Sequence, residues 1–297
     1  MKKNKLVSIV GTTASGKSSL GIELAEHYKT EIVSADSRQV YKHLDLGTGK
    51  VTAEEMARIP HHLIDILDLN EPFSVADFQG LAYEAIDGIH SRGMLPFMVG
   101  GTGLYTRSVV EGYNLVDAPP NEQLRRELEK KSIDELRSML FRIGVTEIPV
   151  ETSERRMIRM LEKHAAGFSA ENESSPRYDV LQLGITFERE VLYRRIAERL
   201  DLRIEQGMIE EVEEVIRLGA TAEFLEKLGL EYRFTYRYLS GFYPTKQDYR
   251  DDLYKAICHF AKRQGTWFRK EKNIIWLDSS SDCFTQSREY IDKWLQE

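Results

Sequence analysis

The stretch Gly11-Thr12-Thr13-Ala14-Ser15-Gly16-Lys17-Ser18 decides how this chain is read. It fits G-x-x-x-x-G-K-[ST], a loop whose backbone N–H groups turn inward onto phosphate oxygens. The flanks supply the context that the pattern needs. Lys5–Val10 is short, β-branched and apolar, and reads as a strand. From Ser18 to Tyr28, Leu20, Leu24, Ala25 and Tyr28 recur at helical spacing, and Ile32–Ala35 reads as a second buried strand. Strand, glycine loop, helix and strand form a βαβ opening. The loop then faces the positive end of a helix, Lys17 adds a point charge, and the Ser18 hydroxyl can hold Mg²⁺.

Phosphate binding alone does not identify a nucleotide. An ATPase of this type holds its Mg²⁺ with a second Asp at the end of another strand. The next strand candidate here, Leu95–Val99, runs into Gly100-Gly101-Thr102-Gly103 and ends in no acid. The strand that does end in one is the second, at Ala35-Asp36-Ser37. Asp36 either caps a helix N-terminus or serves as general base for an acceptor group. A phosphate clamp with one carboxylate suggests transfer of a group away from a phosphate.

Two further strands are read at Val180–Phe187 and Asn273–Leu277. Strands separated by helical stretches argue for a parallel α/β sheet, whose ligands gather at the carboxyl ends of the strands. The glycine loop, the segment after Ala35 and the segment after Val99 are therefore expected to meet. Between about Tyr113 and Asp179 the character changes: 118–140 reads as two helices with charged faces, 152–167 as another, and 169–179 as a polar loop. The expected organisation is a core of residues 1–113 and 180–297 with a helical insert at 114–179. One long amphipathic helix is predicted from Arg189 to Leu218, and another from Gln247 to about Phe268.

The composition sets the class. Of 297 residues, 41% are apolar and 30% charged, the balance of a globular chain, and no apolar run approaches the roughly 20 residues that span a bilayer. Leu6–Val10 is too short for the core of a signal peptide, so a cytoplasmic protein is expected. Cys258 and Cys283 form no C-x-x-C pair, which points to two reduced thiols. The net charge of −7 counts against general nucleic-acid binding, but local patches decide that question. His61 and His62, adjacent on a strand, point to opposite faces and do not suit one metal ion.

Seven segments in order carry a resemblance: Gly11–Ser18, Ser34–Tyr41 (SADSRQVY), Asp45–Lys50 (DLGTGK), His61–Asp65 (HHLID), Phe73–Phe78 (FSVADF), Val99–Tyr105 (VGGTGLY) and Ala261–Arg269 (AKRQGTWFR). The set resembles the bacterial tRNA dimethylallyltransferases, also called tRNA isopentenyltransferases. The resemblance implies a P-loop kinase-like parallel sheet flanked by helices, with a helical insert domain. It also implies a reaction in which dimethylallyl diphosphate donates its five-carbon group to N6 of the adenosine 3′ of the anticodon, with no ATP required. On that reading the loop, Gly11 to Ser18, holds the diphosphate together with Mg²⁺. Asp36 is the base, Thr102 orients it or the adenine, and Lys17 stabilises the leaving group. Asp36, Ser37, Arg38 and Gln39 grip an everted base.

The helix RRIAER (194–199) resembles a family helix. Its Arg195 and Arg199 either add cations to the diphosphate or lie on a solvated face with Glu198 as partner. The insert is expected to hold the anticodon stem-loop, with Arg125, Arg126, Arg155, Arg156 and Arg159 as phosphate contacts or as surface arginines paired to nearby Glu. A monomer and no membrane contact are expected. The chain departs from the family pattern at Thr12, where Pro is usual, at Ser18 for Thr, and at Gly229-Leu230-Glu231, where the family has G-Y-K-E. A P-loop small-molecule kinase, a prenyltransferase using free adenine nucleotides and a non-catalytic RNA binder are the competing readings.

Overall fold

A computed structural model describes residues 3–115, 121–150, 152–169 and 174–297. The strands are β1 (Lys5–Gly11), β2 (Ile32–Ser34), β3 (His61–His62), β4 (Phe97–Gly100), β5 (Asp179–Thr186) and β6 (Ile274–Asp278). The helices are α1 (Lys17–Tyr28), α2 (Ala53–Arg58), α3 (Val75–Ser91), α4 (Gly103–Val110), α5 (Glu122–Leu128), α6 (Ile133–Arg142) and α7 (Glu154–Ala165). They continue with α8 (Arg189–Glu205), α9 (Met208–Arg217), α10 (Ala222–Leu228), α11 (Leu230–Leu239), α12 (Lys246–Arg269) and α13 (Cys283–Leu295). Two compact units result: residues up to Val110 together with those from Arg177 onward, and Glu111–Pro176.

In the larger unit the six strands form one sheet in the order β3-β2-β4-β1-β5-β6, and every pairing is parallel. Parallel strands are covered on both faces, which is why β1 is apolar from Leu6 to Val10 but for the small, buried Ser8. Its alternate residues go to opposite layers. Val7 and Ile9 pack with Leu20 and Leu24 of α1 and Ile291 of α13. Leu6 joins Phe78, Ala82 and Ile86 of α3 and Tyr105 and Val109 of α4 on the other face. A further core, built from Leu192, Ile196 and Leu200 of α8 with Leu253 and Ile257 of α12, sets those two helices beside the phosphate loop at Ala14.

The expected helix from Arg189 to Leu218 is two helices. The backbone at Gly207 has φ 103°, left-handed, so α8 stops at Glu205 and α9 restarts at Met208. A glycine just past a helix end takes this conformation at little cost, and here it outweighs continuous amphipathic spacing. His61 and His62 do sit on a strand: His61 Nδ1 bonds the Ile59 carbonyl at 2.7 Å and His62 Nε2 meets Glu31 at 2.6 Å. Among the described residues no cluster of His, Cys, Asp and Glu could hold a metal ion, and no helix is long and apolar enough to cross a membrane.

The smaller unit has its own core, in which Leu128 of α5, Leu136 and Leu140 of α6 and Met157, Ile158 and Leu161 of α7 are buried together. Asn121, Ser132 and Ser153 cap the three helices by accepting hydrogen bonds from backbone N–H groups of the first turns. An antiparallel bridge between Tyr113 and Ser174 draws its two ends together. Of the segments read from sequence, residues 118–120 of the first helical stretch and 170–173 of the polar loop lie outside the described residues.

Candidate active site

Three loops leave the carboxyl ends of neighbouring strands: Thr12–Gly16 after β1, Asp36–Gln39 after β2, and Gly101-Thr102 after β4. β4 lies between the other two strands, so all three loops emerge along one edge of the sheet. The contacts between them are close. A Cβ on Gly100 would lie 2.2 Å from the Ala35 carbonyl oxygen, so glycine is required where β4 passes the end of β2. The Thr102 N–H donates to the Ala35 carbonyl at 3.3 Å, and the Ser37 N–H donates to Thr102 Oγ1 at 3.1 Å. Thr102 is therefore tied to the Asp36 segment through Ser37. Asp36 Oδ1 accepts from the Arg38 N–H at 2.8 Å. The carboxylate thus caps a turn rather than a helix, and Oδ2 accepts no hydrogen bond among the described residues.

The phosphate loop is braced from above by α8 and α12. Arg195 Nε donates to the Ala14 carbonyl at 2.9 Å, its guanidinium lying 4.8 Å from the centre of the Phe187 ring. Arg199 donates to Thr13 Oγ1. Glu198 pairs instead with Arg194, at 4.0 Å. Of the two readings left open for Arg195 and Arg199, the one that turns them to the loop is the observed geometry. Lys17 Nζ reaches the Thr12 carbonyl at 3.4 Å, and the Ser18 hydroxyl makes no hydrogen bond among the described residues.

The electrostatics of this corner favour an anion. Burial lowers the Lys17 ammonium to a pKa of about 8; Asp36 opposes that shift, while Arg199 and Arg203 add to it. Burial and the neighbouring Arg203 lower Arg199 as well. A guanidinium does not give up its proton in a protein, so the crowding stands as positive charge that Asp36 and Glu231 offset only in part. Arg38 is also lowered by burial, against the pull of Asp36. Cations collected in a desolvated corner are held at a cost that a bound anion removes.

Several expected residues carry intramolecular ties of their own. Gln39 is only 8% exposed; its amide accepts from Ser34 Oγ at 3.2 Å and donates to the Gly49 carbonyl at 3.1 Å, which braces the loop. Arg125 is paired to Glu162 at 2.8 Å and Arg159 to the same carboxylate at 3.5 Å, the pairing to a nearby Glu that the sequence left open beside phosphate contact. Arg155 and Arg156 are exposed on α7 and make no side-chain pair among the described residues.

Two residues that matter were not singled out from sequence. Gln264 of α12 accepts from the Thr13 N–H at 2.8 Å and donates to the Gly101 carbonyl at 2.9 Å, joining the phosphate loop to the glycine turn after β4. Glu211 of α9 accepts from the backbone N–H groups of Asp45, Leu46 and Gly47 at 3.0, 2.7 and 3.0 Å, and from the Tyr232 hydroxyl at 2.7 Å. A Gln inside AKRQGTWFR and a Glu on a polar helix face carry no local signal of either role.

Sheet order, phosphate loop and flanking helices define a P-loop protein of the kinase-like α/β class, with one acid after β2 beside the loop and none at the carboxyl end of β4. Comparison narrows the class. The model of the IPP transferase family matches residues 39–271, and that of isopentenyl transferase matches residues 4–71. A tRNA dimethylallyltransferase 2 of Treponema denticola is 45% identical over 282 residues, covering 92% of this chain and 94% of the relative. The crystal structure of the full-length tRNA isopentenylpyrophosphate transferase from Bacillus halodurans superposes with a TM-score of 0.77 at 39% identity, covering 99% of this chain and 97% of that one. A eukaryotic dimethylallyltransferase that acts on tRNA shares the fold, with a TM-score of 0.83 at 24% identity, over 99% of this chain and 80% of that one. The chain belongs to the IPP transferase family.

Proposed function

We propose that this protein transfers the dimethylallyl group of dimethylallyl diphosphate to N6 of the adenosine immediately 3′ of the anticodon in tRNA. The observation that carries this reading is the pairing of a cation-rich phosphate loop with a single carboxylate, Asp36, on the adjoining strand end. A hydrolase or kinase of this class would need a metal-holding acid on the strand beside β1, and β4 ends instead in Gly100-Gly101-Thr102.

The reaction breaks the bond between the allylic carbon and the diphosphate oxygen and forms a bond from that carbon to N6. The amine proton passes to Asp36, whose Oδ2 is open to receive it, and the bonding pair leaves on diphosphate. Lys17, Arg195, Arg199 and the inward N–H groups of the loop stabilise the charge that grows on the leaving oxygen. The adenine amine is a weak nucleophile because its lone pair is delocalised, so proton removal and a fixed approach both matter. Thr102, acting through Ser37, fixes where Asp36 stands. Arg38 lies within the field of Asp36 and beside the same loop, placed to meet the everted base or its phosphate.

Mg²⁺ suits the donor set. Ser18 offers an uncommitted hydroxyl at the start of α1, and a hard cation of this kind keeps water and substrate phosphate oxygens as its remaining ligands, so the lack of a carboxylate cluster among the described residues does not count against it. When bound, it would neutralise diphosphate charge. The smaller unit, with Arg155 and Arg156 exposed on α7, is assigned to the anticodon stem-loop, and the cytoplasm is where its tRNA would be met.

The test is transfer by the purified protein from dimethylallyl diphosphate to an anticodon stem-loop, read as N6-isopentenyladenosine by mass spectrometry. Product is expected without ATP. Equal prenylation of free AMP would remove the tRNA assignment, and stabilisation by ATP in preference to dimethylallyl diphosphate would return the site to a kinase.

A further inference from the structure

Arg195, Arg199 and Arg203 stand four residues apart on α8, so their side chains follow one another along one face of the helix at about 6 Å intervals. The first two are bound to the phosphate loop, at the Ala14 carbonyl and at Thr13 Oγ1. The third has no such tie. Its side chain is only 12% exposed and is pressed against the DLGTGK loop, where its Nη2 occupies the space that any side chain at Gly49 would need. Its carboxylate partner is Glu231 at the start of α11, with Nη1 and Oε1 3.9 Å apart, too far for a hydrogen bond. Arg203 is thus a buried guanidinium without a close partner, at the end of a row whose other members face the anion loop.

Glu231 lies in Gly229-Leu230-Glu231, the segment at which this chain departs from the G-Y-K-E pattern of its family. Its carboxylate lies within the fields of Arg203, Arg199 and Arg38. It is a built-in counter-charge for a cationic corner.

We propose that Arg203 is a third guanidinium of the diphosphate site, held loosely by Glu231 until the anion arrives and then donating to it. The inference rests on the reading of Gly11–Ser18 as a diphosphate loop. The loose 3.9 Å contact matters here. A tight bidentate pair would keep Arg203 on Glu231, whereas a long contact in a desolvated corner is readily exchanged for a diphosphate oxygen at hydrogen-bonding distance. Arg203 adds to the positive field at Lys17, the lysine of the same loop.

The test uses inorganic diphosphate with Mg²⁺ as the titrant for the full chain, followed by calorimetry, with the melting temperature of each variant measured beside it. R203M is expected to weaken diphosphate binding about tenfold or more, the size expected for a lost hydrogen bond to a charged group, while R203K recovers part of it. E231Q is expected to tighten it several-fold, because a competing carboxylate has gone. In turnover, R203M should raise the KM for dimethylallyl diphosphate and leave that for the stem-loop unchanged. Unaltered diphosphate affinity in R203M, or weaker binding in E231Q, would overturn the proposal. A wild-type protein that binds no diphosphate would instead overturn the reading of the loop itself, and the inference with it.

Discussion

At Asp36 the proposed chemistry comes down to one oxygen atom. Oδ1 is already committed to the Arg38 N–H, so proton acceptance falls to Oδ2. Asp36→Asn keeps the turn, since its amide oxygen can still accept from Arg38, and removes the basicity. Transfer is expected to drop about 10²-fold or more, with stem-loop affinity retained, as read by single-turnover rates and a filter-binding assay. Near-normal turnover by this variant would take Asp36 out of the role of base. Lys17 gives a pH signature. Its ammonium in the free protein titrates near 8, so diphosphate meets a cation below that pH and must recruit a proton above it. Affinity for inorganic diphosphate should therefore decline as pH rises through about 8, measured calorimetrically, and a flat profile across that range would show Lys17 charged throughout.

At the scale of elements, the contact between β4 and β2 is the narrowest in the site. Gly100→Ala drives a methyl group into the Ala35 backbone, which is not a flexible side-chain end that can swing away. A stability loss of about 1–3 kcal/mol is expected by denaturant titration, with a further fall in turnover because β2 carries Asp36. This scale also separates what the sequence declared from what it withheld. Five of the strands were legible because each is a short, mostly apolar run closed by glycine or a polar turn: Lys5–Val10 became β1 and Val180–Phe187 became β5 with ends shifted by one residue, whereas β3 is only the pair His61–His62. α3 was legible only in hindsight. Ser74 and Asp77 form a capping box at its start, but the segment was read as a motif and not as a helix start. The break at Gly207 is a backbone event that side-chain periodicity cannot register. Gln264 and Glu211 stayed hidden for a different reason. Each acts on a backbone more than 160 residues away, a relation set by the packing of α12 and α9 and not by any local pattern.

Across the whole molecule, a net charge of −7 coexists with a desolvated group of cations at the phosphate loop and an exposed Arg155-Arg156 pair on α7. An acidic total with local basic sites repels polyanions in general and admits those that present phosphate where the cations are. Replacing Arg155 and Arg156 together with Ala should raise the KM for an anticodon stem-loop several-fold and lessen the salt dependence of binding by about one unit of slope per arginine, with the KM for dimethylallyl diphosphate unmoved. Unchanged salt dependence would separate α7 from RNA binding. The smaller unit has a core of its own, so the substitution on its surface is expected to leave the melting temperature where it was.

Glu211 has a consequence in time as well as in space. The backbone of Asp45–Gly47 takes its shape from a carboxylate that follows it by 164 to 166 residues. During synthesis the phosphate loop and its first helix emerge early, yet residues 45–47 have nothing to fasten to until α9 has cleared the ribosome. A nascent chain halted before that point carries an anion loop beside an unfinished wall, and becomes competent only in the last third of its translation.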